Sequence, residues 1–341
     1  MNGEAYRGWI SEHIAIGKEI LYLTQEDVRK TPVSPLQVLE LTEKALTAYS
    51  AGKVDMPAKI GIHPFPDTFY HAMPAYVPDI CTAGIKWGSC YPKNQRLYGY
   101  SQANGLIILN DHLSGAPIAI LDCIYVTEIR TAAVTYASAK YLSNTGTETF
   151  GMIGCGVEGR QHVKNITLAL PNLKKIYVYD ILDEAAEALI RDLQPVVSTK
   201  IIKAASFEEI SKSVETLVSA TVINGTPEPD IRDEWISKGQ TILLCDAHSR
   251  FEHGIMLRAD KYIVDSVEQH ELLKGYGYYP HGLPEIYAET GEITGGVKAG
   301  RVSPDELIVC NNIGMAVEDM YVVRALFDKA LEDEIGRKLP L

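Results

Sequence analysis

The stretch FGMIGCGVEGRQH, Phe150–His162, runs from an apolar β-type segment through three glycines toward a helical pattern. Gly154, Gly156 and Gly159 fit the spacing G-x-G-x-x-G, a weak signal by itself because glycine turns are common. Its surroundings decide the reading. The motif follows a β-type run (149–154), opens a helical run (160–170), and is followed by a second β-type run, KIYVYD (175–180), ending on Asp180, 21 residues beyond Gly159. A dinucleotide cradle needs this arrangement: one glycine for the tight turn, one that lets backbone N–H groups approach a pyrophosphate, one for helix–strand packing, and an acid for the ribose hydroxyls. The helix amino terminus adds partial positive charge for the phosphates. Asp180 would repel a 2′-phosphate, so NAD(H) is favoured over NADP(H). Val157 and Glu158 in the loop, and Ala220 and Thr221 at the end of a later β-type run, join Gly154, Gly156, Gly159 and Asp180 as expected cofactor contacts. The competing reading, a plain turn with Asp180 capping a loop, stays open at this point.

Working outward, short apolar runs alternate with helical ones from residue 148 onward. TLVSA (216–220), TILLCD (241–246) and KYIVD (261–265) read as buried strands, and DEAAEALIRDL (183–193) as a helix. Such alternation implies a parallel sheet covered by helices on both faces. The first 125 residues differ. A helical pattern spans 34–52, and turn-rich β-type segments after it suit hairpins or a meander better than βαβ units. The segment 125–142 reads as a bridging helix, and 314–335 as a helix that returns to the first domain. The expected fold class is therefore α/β, a Rossmann-type doubly wound parallel sheet plus an α+β domain. Residues 1–127 with 315–341 form one domain and 128–314 the other.

Composition narrows the function classes. A chain of 341 residues suits two domains. Its net charge of −12 argues against nucleic acid or an anionic membrane as a general partner. The most apolar stretch, GAPIAILDCIYV, is short and interrupted by Asp122, so no membrane span is expected, and Glu4, Arg7 and Glu12 break any secretory pattern. The six cysteines lie scattered without a CxxC pair, which points to reduced thiols, the cytoplasm and no metal site.

Three residues stand out chemically. Lys86 occupies an apolar β-type run, AGIKWGSC, where a charge is costly without a partner. A sequestered lysine can donate a proton or polarise a carbonyl; the plainer reading is a side chain reaching the surface from an edge strand. Arg130, near the start of the bridging helix, can grip a carboxylate with its fork, or simply pair with Glu128. Asp246 ends the TILLCD run, where ligands of open parallel sheets bind, although a helix N-cap is the commoner use of such an aspartate. His248 and His253 in HSRFEH match no metal spacing and read as surface groups.

Together the segments MPAY (73–76), GIKWGSCYPKN (84–94), GLIILND (105–111), EIRTAAVTYASAKYL (128–142), the glycine loop, LLCDAHSR (243–250) and GMAVED (314–319) make the chain resemble the ornithine cyclodeaminase/μ-crystallin family over residues 20–335. That resemblance implies a Rossmann domain joined to a substrate-binding domain that pairs with its twin, hence a homodimer. It further implies that Lys86 acts at the imine or amine centre, that Arg130 grips the substrate carboxylate, and that Asp246 acts as base or water activator.

Two departures bear on the choice within the family. Lys59 stands in MPAKIG where many members carry arginine, which keeps the charge but loses the fork. His71 stands where ornithine cyclodeaminases carry glutamate, beside Met73 in the expected substrate pocket. The NNIG stretch (311–314) also lacks the charged residue that relatives often place before the glycine. The expected activity is an NAD(H)-dependent amino-acid dehydrogenase or imine reductase acting on a small amino or imino acid. A cyclodeaminase with internally recycled NAD is the second reading, and a non-enzymatic binding protein like the crystallin members the third.

Overall fold

The computed structural model describes residues 2–223, 229–247 and 249–341, so His248 lies outside the described residues. Strands β1 (Glu19–Leu23), β2 (Ile60–Ile62), β3 (Phe69–Val77), β4 (Thr82–Cys90), β5 (Ala103–Asp111) and β6 (Pro117–Asp122) come first. After the helix Ile124–Leu142 follow β7 (Thr149–Ile153), β8 (Lys175–Tyr179), β9 (Lys200–Lys203), β10 (Thr216–Ser219) and β11 (Thr241–Leu244). Then come β12 (Lys261–Val264), β13 (Ala288–Glu289), β14 (Ile308–Asn311), the helix Ala316–Glu332 and β15 (Arg337–Pro340). The chain divides into two compact units, residues up to Arg130 with Met315–Leu341, and Thr131–Gly314.

The discontinuous unit holds a seven-stranded mixed sheet in the order β15-β1-β6-β5-β4-β3-β2. Strands β3 to β6 form an antiparallel meander, as short turn-linked runs should. The helix Pro35–Ser50 starts at a capping box of Ser34 and Gln37, with proline at its first turn, and buries Val38, Leu39, Ala45 and Leu46. The returning helix Ala316–Glu332 packs against it and against β3 and β4. That helix comes close to β4 because position 84 is glycine. A Cβ there would lie 3.0 Å from the Met320 sulfur and 2.5 Å from the Ile108 carbonyl oxygen.

The second unit holds eight parallel strands in the order β13-β12-β14-β11-β10-β7-β8-β9. Strands β10, β11, β12 and β14 are buried along their whole length, which suits continuous apolar runs in a sheet covered on both faces. From β7 the chain lays β8 and β9 to one side, then crosses to lay β10 and β11 on the other. The reversal puts the carboxyl ends of β7 and β10 at the switch point where doubly wound sheets bind ligands. Strand β9, a short run flanked by lysines, the two-residue β13 and the apolar β14 add to the five strands read from the sequence. The glycine-loop helix also differs from expectation. It spans Val157–Asn165 and tightens into a 3₁₀ turn, Ile166–Leu168, ahead of Pro171.

All six cysteines are free. Among the described residues no helix is long and apolar enough to cross a membrane.

Candidate active site

The glycine loop carries out the steric tasks its spacing implies. Gly154 has φ +95°, and a Cβ there would lie 2.5 Å from the Ala220 carbonyl oxygen, because the ends of β7 and β10 meet at the switch point. A Cβ on Gly159 would strike the Gly154 carbonyl, so the helix can begin tight against the strand only as glycine. At Gly156, by contrast, a Cβ would meet nothing within 4 Å, and as N-cap it offers no side chain to the first turn. The first turn thus has no side-chain cap and has room beside Gly156, which fits the pyrophosphate of a dinucleotide. Asp180 accepts hydrogen bonds from the backbone N–H of Cys155 (2.8 Å) and of Leu182 (2.9 Å). The two readings of Asp180 are compatible. It fastens the loop, and each carboxylate oxygen keeps a lone pair for a ribose hydroxyl.

Asp246 is fully buried just past β11. Its Oδ2 accepts from the Ser219 hydroxyl, from the Thr221 hydroxyl at 2.7 Å and from the Thr221 N–H at 3.1 Å. Its Oδ1 is buried with no hydrogen-bond partner among the described residues. The N-cap reading fails, because the next helix, His253–Leu257, begins after Glu252. The arrangement fixes one carboxylate oxygen and leaves the other able to accept a proton. His253 is half-buried against the His281 ring, 5.5 Å away, instead of standing free on the surface.

In the other unit Lys86 is 4% exposed on β4, between β3 and β5. The edge-strand reading therefore falls away. Its Nζ lies 2.6 Å from Asp319 Oδ2. Burial pulls its pKa below the ordinary lysine value, Asp319 opposes that fall, and Arg130 adds to it. Arg130, 6% exposed, donates from Nε to Asp319 Oδ1 at 3.2 Å and from an Nη to Glu318 Oε2 at 3.0 Å. Glu128, the partner considered from the sequence, instead takes Arg29 at 2.7 Å. Two cations and two carboxylates thus meet in the interior, brought from β4, the helix Ile124–Leu142 and the helix Ala316–Glu332.

Lys59, His71 and Met73 are buried in this unit too. The His71 ring stacks on Phe69, with centroids 4.0 Å apart, and leans over Gly61, its register partner on β2. Burial first, then the charges of Lys59, His63 and Lys86, drives its pKa down to about 2, so the imidazole is neutral. Glu318 and Asp319 lie within the GMAVED segment but drew no role from the sequence. The signal that could have found them is two acids opening an otherwise apolar helix. No cluster of metal-ligating side chains occurs among the described residues.

A model of the ornithine cyclodeaminase/mu-crystallin family matches residues 18–334. The alanine dehydrogenase of Archaeoglobus fulgidus is 29% identical over 334 residues, covering 94% of this chain and 98% of its own. The N-((2S)-2-amino-2-carboxyethyl)-L-glutamate dehydrogenase of Staphylococcus aureus is 28% identical, covering 96% of this chain and 100% of its own. The structure of Thermococcus litoralis Delta(1)-pyrroline-2-carboxylate reductase in complex with NADH and L-proline is similar with a TM-score of 0.83 and 27% identity, covering 93% of this chain and 99% of that one.

Proposed function

The chain belongs to the ornithine cyclodeaminase/mu-crystallin family, and from that premise we propose that it is an NAD(H)-dependent oxidoreductase acting at the α-carbon of a small L-amino acid or the corresponding imino acid. The observation that carries this reading is the burial of Lys86 and Arg130 on a shared carboxylate, Asp319. A core gains little stability from such a cluster, since apolar residues of similar volume often do as well or better. Positioned charge serves substrate binding and proton transfer.

NAD(H), when bound, supplies or takes up the hydride. Gly154, Gly156, Val157, Glu158 and Gly159 hold its phosphates, Asp180 its ribose, and Ala220 and Thr221 line its path. The chain's other residues do the rest. Arg130 and Lys59 hold the carboxylate of the organic acid. Lys86 holds a proton at the substrate nitrogen or at the attacking water, and Asp246, whose Oδ1 has no hydrogen-bond partner among the described residues, is the second group assigned to take up a proton. Met73 and the neutral His71 line the side-chain end. A neutral imidazole offers no negative charge to a second ammonium, which argues against an ornithine cyclodeaminase.

The protein is further proposed to be a homodimer. Ile60, Ile62, Trp87 and Leu106 on β2, β4 and β5 are exposed apolar side chains that a second copy would cover. Light scattering at working concentration would return one subunit's mass if this is wrong.

Nicotinamide absorbance tests the activity, with NAD⁺ and a panel of amino acids, and with NADH, ammonia or methylamine and a panel of keto or imino acids. Turnover with at least one small acid, strongly reduced in Lys86→Ala, is the expected result. Ammonia release from a diamino acid with no net absorbance change would instead identify a cyclodeaminase.

A further inference from the structure

Asp319 lies in the first turn of the helix Ala316–Glu332, is fully buried, and meets both cations through different oxygens, Lys86 through Oδ2 and Arg130 through Oδ1. We propose that Asp319 is the positioning residue of this site, a single carboxylate that fixes the Lys86 ammonium against the Arg130 guanidinium and sustains its charge in the buried interior. The inference rests on the oxidoreductase reading for its purpose, and on geometry alone for its substance.

Three observations build it. First, the three side chains come from separate elements, and Asp319 is the group common to both cation contacts. Second, β4 is adapted to the pair. Gly84 lies two residues before Lys86, hence on the same face of the strand. The close approach that Gly84 permits brings Met320, and with it Asp319, up to the lysine. Third, among the described residues the charged and titratable groups facing Lys86 are few. They are Asp319, Arg130, the Cys123 thiol and the His71 imidazole of β3. His71 is neutral, and burial pushes Cys123 up to about 12, so that thiol is uncharged at neutral pH. Asp319 is therefore the one negative charge among them that opposes the burial of Lys86, while Glu318 balances Arg130.

The consequence has a definite sign. Removing the Asp319 charge leaves a buried ammonium beside a guanidinium, so Lys86 releases its proton at lower pH. The test titrates the Lys86 ε-carbon by NMR in the full chain, with lysines labelled with ¹³C and the resonance assigned through Lys86→Arg. In the unsubstituted protein the midpoint lies below that of the exposed lysines. In Asp319→Asn it falls by about one further pH unit or more, the size of shift an opposite charge at this range produces. In Asp319→Glu, which keeps the charge, it recovers most of that fall. In Glu318→Gln it moves by less than in Asp319→Asn.

A midpoint unmoved in Asp319→Asn overturns the proposal. If that variant does not fold, Asp319→Ser removes the same charge and keeps a small hydroxyl beside Lys86. There too a fall is expected, and an unmoved midpoint overturns the proposal. The titration does not depend on turnover. A shifted midpoint in a chain that oxidises or reduces nothing would defeat the proposed function and leave Asp319 its role, whereas turnover with an unmoved midpoint would do the reverse.

Discussion

Around Asp246 the polar atoms buried in the 131–314 unit are met by hydroxyls and backbone N–H groups, whereas around Asp319 those of the other unit are met by full charges. Two further groups of the parallel unit follow the Asp246 pattern, although Lys261 and Glu306 there do pair as charges, 3.0 Å apart. In the parallel unit Asp265 accepts from the N–H groups of Ile313 (2.7 Å) and Gly314 (2.6 Å), and His162 takes Thr135 and the Glu158 carbonyl. The parallel unit shapes a binding surface from its own backbone, which costs little charge burial. The meander unit concentrates charge, which stabilises a core poorly but can act on a substrate. We take this difference as a division of labour in which the parallel unit holds the cofactor and contributes Asp246 as a base, while the meander unit handles the organic acid.

The sharpest way to break that division is Lys86→Ala. Turnover should fall by about 10²–10⁴-fold, the usual weight of a positioned proton donor, while NADH binding followed by fluorescence stays as it was. Loss of NADH binding along with turnover would mean that the units do not divide the work in this way.

A smaller effect is expected from acid. Burial holds His162 at about 4 in the folded chain, against about 6.5 for a free histidine. Between those values the unfolded chain binds a proton that the folded one refuses. This contribution to stability is therefore fully present above about pH 6.5 and declines as pH falls toward about 4, by roughly 3 kcal/mol in all. His71 acts with the same sign and continues to lower pH. Urea midpoints across this range should decline less in His162→Gln. An identical decline would show that His162 is not the group responsible.

Asp180→Ala removes the acceptor of two backbone N–H groups, so we expect roughly 1–3 kcal/mol of lost stability. A weaker preference for NADH over NADPH should accompany it. Stability lost with the preference intact would confine Asp180 to fastening the loop. The least effect on folding is expected from Gly156→Ala, because a Cβ there meets open space. Thermal stability should fall only by the roughly 1 kcal/mol or less that alanine costs against glycine at an N-cap, while NADH affinity drops by about tenfold, or 1.4 kcal/mol. Unaltered affinity would remove Gly156 from the cradle.

Much of the parallel unit is legible in the sequence because its devices are local. Gly154, Gly156 and Gly159 work through φ and the absence of a Cβ, and each strand is a short apolar run. The bridging and returning helices announce themselves through long periodic patterns. What stays hidden in the other unit depends on distance. Nothing near Lys86 in the chain points to Asp319, and Gly84 matters only once a helix from the far end packs on it. Arg130 does not pair with Glu128 because residues two apart on a helix project to different sides. Glu128 reaches Arg29 and Arg130 reaches the returning helix. Asp246 resembles an N-cap in sequence because it ends a strand, but the next helix starts only at His253, too far along the chain for Asp246 to cap it.

The most direct test of the account follows the hydride itself. With NADH deuterated at the nicotinamide C4, and whichever keto or imino acid the chain consumes, the amino-acid product should carry deuterium on its α-carbon by mass spectrometry. Product formed without that label would contradict hydride transfer between NAD(H) and the α-carbon.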